Sequence, residues 1–274
     1  YRYRGISQTD KDFAVQGGLT VSHTSGAYVG IWGSSVDDYI AGGSDQEIDL
    51  IAGYKKTVGG TTLDFGGIYY YYPGAEKITA GYDSDFLELY GSVAQTFGPA
   101  TVKLATAYAP KSSALSLGNG KEDNFYMNLG LSGAIPNTPI SLSAGVGRTF
   151  TKSFLSGGQK YTDWSLGASY TTGPVTFGLS YVDTSYAKGA VVSSTGKDVA
   201  KGGIFGTIMI AAFGAGTWAA QLGSLAIVGV FTAVVTVAII FAVKLVAPLR
   251  VDAETETNGL DLSVHGERAY EFNS

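Results

Sequence analysis

Cysteine is absent from this chain of 274 residues, which excludes disulfides and thiolate metal sites and leaves the compartment open. Histidine occurs only twice, so paired-histidine chemistry has little to draw on. Charged residues make up 15% of the chain, against roughly 25% in soluble domains. The net charge is −5 with no basic tract, so nucleic acid is not an expected partner. The sequence opens at Tyr1 with neither Met nor a signal-peptide pattern; an exported protein would already have lost its targeting segment. The length permits one large domain or two small ones.

What is plentiful is glycine (39), tyrosine (18) and phenylalanine (13). Many Gly and Tyr with few charges suit a sheet that turns one face to lipid. Residues 1–213 divide into about twelve segments of period-2 alternation, near 1–6, 13–23, 27–35, 46–57, 61–72, 85–97, 100–109, 123–134, 139–150, 161–172, 175–184 and 201–213. Most have the roughly 9–11 residues that cross a bilayer as a tilted strand. In "VTFGLSY", Val175, Phe177, Leu179 and Tyr181 share one face and Thr176, Gly178 and Ser180 the other. "WSLGASYT" and "FYMNLGLS" behave the same way. The second face is small and polar, which suits a watery lumen. A soluble up-and-down barrel would need an apolar interior instead. Tight Gly/Pro turns ("TVGGT", "TFGPA", "TTGPV") alternate with long polar links ("SSVDDYIAGGSD", "DTSYAKGAVVSSTGKD"). Short turns on one side and long loops on the other are the outer-membrane pattern. The expected fold is all-β: an antiparallel transmembrane β-barrel of about 12 strands over 1–213, with an even strand count and both ends on the turn side.

The opening "YRYRGISQTDKDFAVQGGLTVSHTSGAYVGIWGSS" carries a resemblance. Its Tyr-Arg-x-Arg-Gly-Ile-Ser-Gln start, "AVQGG" and "GAYVGIWGSS" resemble the TorF-like porin family of Gram-negative bacteria. The resemblance implies an outer-membrane barrel of undefined substrate and supplies no catalytic motif.

Phasing each strand by its apolar residues places Arg2, Arg4, Asp49, Lys55, Asp64, Glu88 and Lys103 on the lumen side. On the lipid face near mid-bilayer a Lys or Arg would cost about 2–4 kcal/mol. Two readings stay open. The charges line a pore and tune its selectivity, or they pair into a network that plugs a narrow barrel. Signs are mixed, so no strong ion selectivity follows. Tyr69, Tyr71, Tyr108, Tyr170 and Tyr181 fall near strand ends on the outer face, as an aromatic girdle does. Asp10, Asp12, Asp37, Asp38, Asp45, Asp83 and Asp85 read as solvated loop charge, since no calcium-loop spacing is present. His23 shares the outward face of its strand beside a tight turn, away from the long loops. No catalytic residue, cofactor or metal is expected, and the chain does not read as an enzyme.

The end of the chain is of another kind. From Gly202 to Val243 no residue is charged, and the run 222–243 is long enough for one transmembrane helix. Lys244 and Arg250 follow, which by the positive-inside rule makes the C-terminal side cytoplasmic. Residues 214–249 are expected as an apolar transmembrane-type helix and 250–274 as a polar, acidic tail. "AQLG", "LRV" and above all "GLDLSVHGERAY" (259–270) resemble the C-terminus of the ammonium transporter family. That resemblance implies a cytoplasmic tail able to meet a PII-type signalling protein. It implies no conduction, because the family's helical pore is missing. Residues 214–217 reach at most ~14 Å when extended and cannot bridge two membranes. A fusion of a near-complete porin with a transporter tail is the expectation, with the seam between about 201 and 217.

The expected function is a porin-like channel in a Gram-negative outer membrane, for passive diffusion of small solutes or ions, in contact with membrane lipid. The alternatives are a closed structural barrel, or an ammonium-transporter-related protein held in the inner membrane by its C-terminal helix.

Overall fold

The computed structural model describes residues 1–75, 84–118 and 120–211, together with Val230, Val237, Phe241 and Lys244, each helical in backbone. The predicted apolar helix as an element, the polar tail and its PII contact lie outside the described residues. Contacts divide the chain into two compact units, Tyr1–Ile210 and Ala211–Ser274. The architecture below is that of the first.

Eleven strands form one sheet in chain order: β3 (Gln16–Ser22), β4 (Ala27–Ser35), β5 (Gln46–Val58), β6 (Thr61–Tyr71), β7 (Phe86–Phe97), β8 (Ala100–Ser112), β9 (Glu122–Ala134), β10 (Ile140–Thr149), β11 (Tyr161–Thr172), β12 (Val175–Thr184) and β13 (Gly203–Ile210). Every neighbouring pair is antiparallel. The alternation sets this meander, because a slip of one residue would turn each strand's apolar set to the wrong face. Turn chemistry fixes the registers. Gly98–Pro99 joins Phe97 to Ala100, and Gly173–Pro174 joins Thr172 to Val175. Each glycine is left-handed (φ 58° and 55°). Proline at the second position fixes a negative φ, which excludes type I′ and leaves type II′. The sheet therefore has a turn end, with tight hairpins, and a loop end, where the long links gather.

The outer face carries Leu50, Leu104, Leu129, Leu142, Leu166 and Leu179, all exposed, the last two at 61% and 59%. The burial lies on the inner face at the loop end. One cluster gathers Tyr70, Tyr72, Phe86, Ala109 and Leu115, and another gathers Ile6, Tyr161, Tyr186 and Val199.

The sequence expectation fails at the N-terminus. Residues 1–6 are not the first barrel strand. β1 (Arg2–Tyr3) and β2 (Ile6–Ser7) form a separate hairpin. Its turn residues Arg4 and Gly5 both take positive φ (47° and 86°), which breaks the alternation. The segment is also short for a bilayer crossing. An added Cβ on Gly5 would meet Thr184 Cγ2 at 2.6 Å, so the glycine also allows the hairpin to seat against β12.

Among the described residues the sheet has two free edges, β3 and β13. The count is eleven, not an even number, and the first sheet strand starts at the loop end. Both edges run from loop end to turn end. Their loop ends are tied together: Ser7 N–H donates to Val199 O (2.9 Å), and Lys197 Nζ bonds Asp10 O and Asp12 Oδ2 (2.9 Å each). The sheet is thus an incompletely closed barrel.

Candidate functional site

The N-terminal hairpin sits against the inner face, and its bonds reach around the barrel. Tyr1 OH donates to Glu47 on β5 (2.9 Å) and Tyr3 OH to Glu88 on β7 (3.1 Å). Tyr161 OH on β11 donates to Arg4 O (2.9 Å). Arg2 Nη2 donates to Lys201 O beside β13 (3.0 Å).

Arg4 is the centre of this arrangement. Its guanidinium pairs with Glu88, donates to Asn124 Oδ1 on β9 (2.7 Å), and lies over the rings of Tyr3 and Tyr126 (4.5 and 4.4 Å). The two charged side chains are only 7% and 4% exposed. A buried pair survives when its remaining hydrogen-bonding capacity is used. Here Tyr3 and Tyr70 add hydroxyl bonds to Glu88 (3.1 and 3.4 Å). Glu47 likewise accepts from Tyr1 and Tyr72 (2.9 Å each). Residues 1–10 thus occupy part of the loop half of the inner face.

The turn half differs. Tyr28 OH donates to Asp64 (2.6 Å) and meets Tyr90 OH. Lys55 faces Asp64 across the β5–β6 ladder, and Lys103 faces Ala94. Both lysines are exposed, and neither has an ion-pair partner within 4 Å among the described residues. On the opposite wall, β10 to β12 present Ser141, Ser143, Ser165, Ser169, Thr176 and Ser180 between glycines.

The seven residues singled out from sequence therefore divide. Arg4 and Glu88 meet and anchor the hairpin. Arg2 holds it near β13. Asp49 is buried opposite Trp32 and Tyr70, and its Oδ1 has no hydrogen-bond partner among the described residues. Lys55, Asp64 and Lys103 occupy the turn half. Glu47 and Asp163 share the inner face and were missed; Glu47 precedes outward Ile48 and Asp163 precedes outward Trp164, so the same phasing would have found them. The tyrosines Tyr28, Tyr90 and Tyr126 on the inner face had no sequence signal separating them from girdle tyrosines except phase. Tyr69, Tyr71, Tyr108 and Tyr181 do lie exposed on the outer face at the loop end, and Tyr170 at the turn end.

Two loop aspartates are not solvated charge. Asp10, 1% exposed, accepts from Thr195 (2.5 Å) and pairs with Lys197 (3.3 Å). The hydroxyls of Ser193 and Thr195, and then Lys197, hold its carboxyl below the usual aspartate value. Lys197 is raised in turn, first by Asp12. Asp85 accepts from the Tyr72 N–H (2.9 Å), and Asp83 lies outside the described residues. No group of three His, Asp or Glu able to hold a metal occurs among the described residues. His23 is exposed in the β3–β4 turn and bonds Ser25 Oγ (2.9 Å).

Comparison with solved structures finds the NanC porin at a TM-score of 0.53 and 8% identity, covering 72% of this chain and 92% of that one. A second porin matches at a TM-score of 0.39 and 18% identity, covering 70% and 60%. An anion-selective porin from Comamonas acidovorans matches at 0.37 and 14%, covering 71% and 54%. The last two are too distant to bear on the fold; the first shows a porin-type barrel. No curated protein matches the chain. Residues 194–270 match the Ammonium Transporter Family, in accord with the resemblance of the tail. Residues 1–213, which include the hairpin and all eleven sheet strands, match a family described as bacterial protein of unknown function, and this chain belongs to that Gcw_chp family.

Proposed function

We propose that this chain is a porin-like outer-membrane channel for passive diffusion of small solutes or ions, narrowed at its loop end by residues 1–10. The observation that carries the reading is the division between faces. The outer face is apolar and exposed, with Leu166 at 61% and Leu179 at 59%, while the inner face of the turn half is hydroxyl-rich, with Lys55 and Lys103 in no ion pair among the described residues. In water this would be an inverted protein, because exposing so much contiguous apolar surface is rare in soluble monomers. In a bilayer it is the expected arrangement for a barrel. The porin-type fold supports the reading without naming a solute. By the same reasoning the turn end faces the periplasm and the loop end faces outward.

Planar-bilayer recording of the full chain tests it. Discrete conductance steps are expected, and Lys103→Ala should change their size or their ion preference. The hairpin docked in the loop half favours a second reading, a closed scaffold barrel. Complete absence of steps, from protein shown to be folded and inserted, would establish that reading and sink the channel.

A further inference from the structure

Beside the Arg4 network the loop end holds a cavity of about 570 Å³. The N-terminal hairpin forms one side through Tyr3 and Ile6. Around it stand Tyr39, Tyr70, Tyr72, Phe86, Leu117 and Phe154. Its size falls in the range of small-molecule sites, which are mainly apolar with a few placed polar groups. For scale, an engineered cavity of about 150 Å³ is enough to take benzene. Leu117 and Phe154 remain 50% and 44% exposed, although they lie beyond the strands, where lipid does not account for exposed apolar surface.

The polar lining has one sign. Among the described residues, Glu47 is the charged one that lines the cavity, and no lysine or arginine does. The nearby arginine, Arg4, is neutralised by Glu88. Glu47 uses one bond on each oxygen, from Tyr1 and Tyr72, and a carboxylate oxygen has capacity for another. The tyrosine faces attract cations as well as apolar rings. The walls are held in place before any ligand arrives: Tyr39 OH bonds Ser7 O (2.5 Å), and Tyr70 stacks on Phe86 at 4.4 Å.

We propose that this cavity is a binding site for small aromatic solutes that are uncharged or cationic, and that it disfavours anionic ones. The proposal rests on the porin-like reading only in placing the site at the outward mouth of the barrel; binding itself needs no conduction.

Calorimetric titration of the full chain in nanodiscs, with indole, benzylammonium and benzoate, tests it. Indole and benzylammonium are expected to bind saturably at one site, and benzoate at least tenfold more weakly. Ala114→Trp, which projects a ring into the cavity, should weaken both ligands at least tenfold. Glu47→Gln should lower the benzylammonium-to-indole affinity ratio about tenfold while indole binding persists. Benzoate binding as tightly as benzylammonium overturns the proposal. So does binding untouched by Ala114→Trp, which would place the ligand in lipid, and so does absence of saturable binding. A chain that binds but passes no current would remove the channel reading and leave the site standing.

Discussion

Arg4→Ala is the sharpest perturbation of the N-terminal hairpin. The change removes the ion pair to Glu88, the 2.7 Å bond to Asn124 and two cation–ring contacts. Breaking one side of a buried pair costs about 3–5 kcal/mol, since the partner charge is left buried. Glu88 keeps the hydroxyl bonds of Tyr3 and Tyr70, so the lower end, about 3 kcal/mol, is expected. At about 1.4 kcal/mol per decade, the population with the hairpin undocked should rise about a hundredfold. The absence of cysteine makes this measurable. Ser7 is 1% exposed, and Ser7→Cys introduces a single thiol of similar shape. Labelling by a water-soluble maleimide then proceeds through the undocked state, and its rate tracks that population. The double variant Ser7→Cys, Arg4→Ala should label about a hundredfold faster than Ser7→Cys alone. Adding Glu88→Gln should recover part of the loss, because the orphaned charge is gone; such coupling between contacting residues is typically about 0.5–3 kcal/mol. A labelling rate within about threefold of the parent would refute the reasoning, since that allows the pair less than about 0.7 kcal/mol.

Gly5→Ala should lower thermal stability and free the hairpin, because Gly5 has φ 86° and an added Cβ would meet Thr184 at 2.6 Å; Gly98→Ala, with φ 58° and nothing within 4 Å, should cost only the backbone penalty of about 1–2 kcal/mol. Comparing the two melting temperatures checks this, and equal losses would contradict it. The Asp10–Lys197 clasp should hold through neutral pH and fail in acid: Asp10 is depressed in the folded chain, so the unfolded form takes up the proton first as pH falls. Its contribution is full above about pH 4, the unfolded aspartate value, and is lost below that as pH passes the folded value. Limited proteolysis of residues 193–199 against pH reads this loss, and Lys197→Met should move it to higher pH. Leu166→Arg on the outer face should destabilise the inserted barrel by about 2–4 kcal/mol, whereas Ser165→Arg one residue away should cost less; denaturant titration in lipid vesicles separates them, and equal costs would mean that Leu166 does not face lipid.

The barrel strands were legible because each face obeys one rule along its whole length. In β11 and β12 the outward set (Trp164, Leu166, Ala168 against Asp183, Tyr181, Leu179) lies in register across the ladder, so alternation and turn length together fix the pairing. The hairpin was not legible, because Tyr-Arg-Tyr-Arg alternates as well as any strand. What decides its fate is the positive φ of Arg4 and Gly5 and a set of partners on β5, β7, β9 and β11 and in the link before β13, neither of which has a period. Asp10 misled for a similar reason. Its sequence neighbours Thr9, Lys11 and Asp12 are polar, but its burial comes from Thr195 and Lys197, far away along the chain. Lys55 and Lys103, phased inward from sequence, stand across the ladder from Asp64 and Ala94.

β13 is where the two family resemblances compete for the same residues. The Gcw_chp match runs through 213 and the ammonium-transporter match starts at 194, so both include it. Its letters suit a strand or a helix because both faces carry apolar residues: Ile204 and Ile208 share a face with Tyr181 and Phe177, and Phe205 and Met209 lie on the other. A helix would place residues three and four apart together, whereas a strand must pair at every step. Gly203–Ile210 pairs with Val175–Val182 throughout, Tyr181 opposite Ile204 and Phe177 opposite Ile208, and each pair joins outward residues to outward ones. Gly203–Ile210 is therefore a strand of the sheet. This has a consequence for closure. With β13 included, the sheet has eleven strands among the described residues and its edges run the same way, so joining β3 directly to β13 would make one parallel ladder in an otherwise antiparallel sheet. Antiparallel closure takes an odd number of further strands, which restores the even count that single-chain bacterial outer-membrane barrels have.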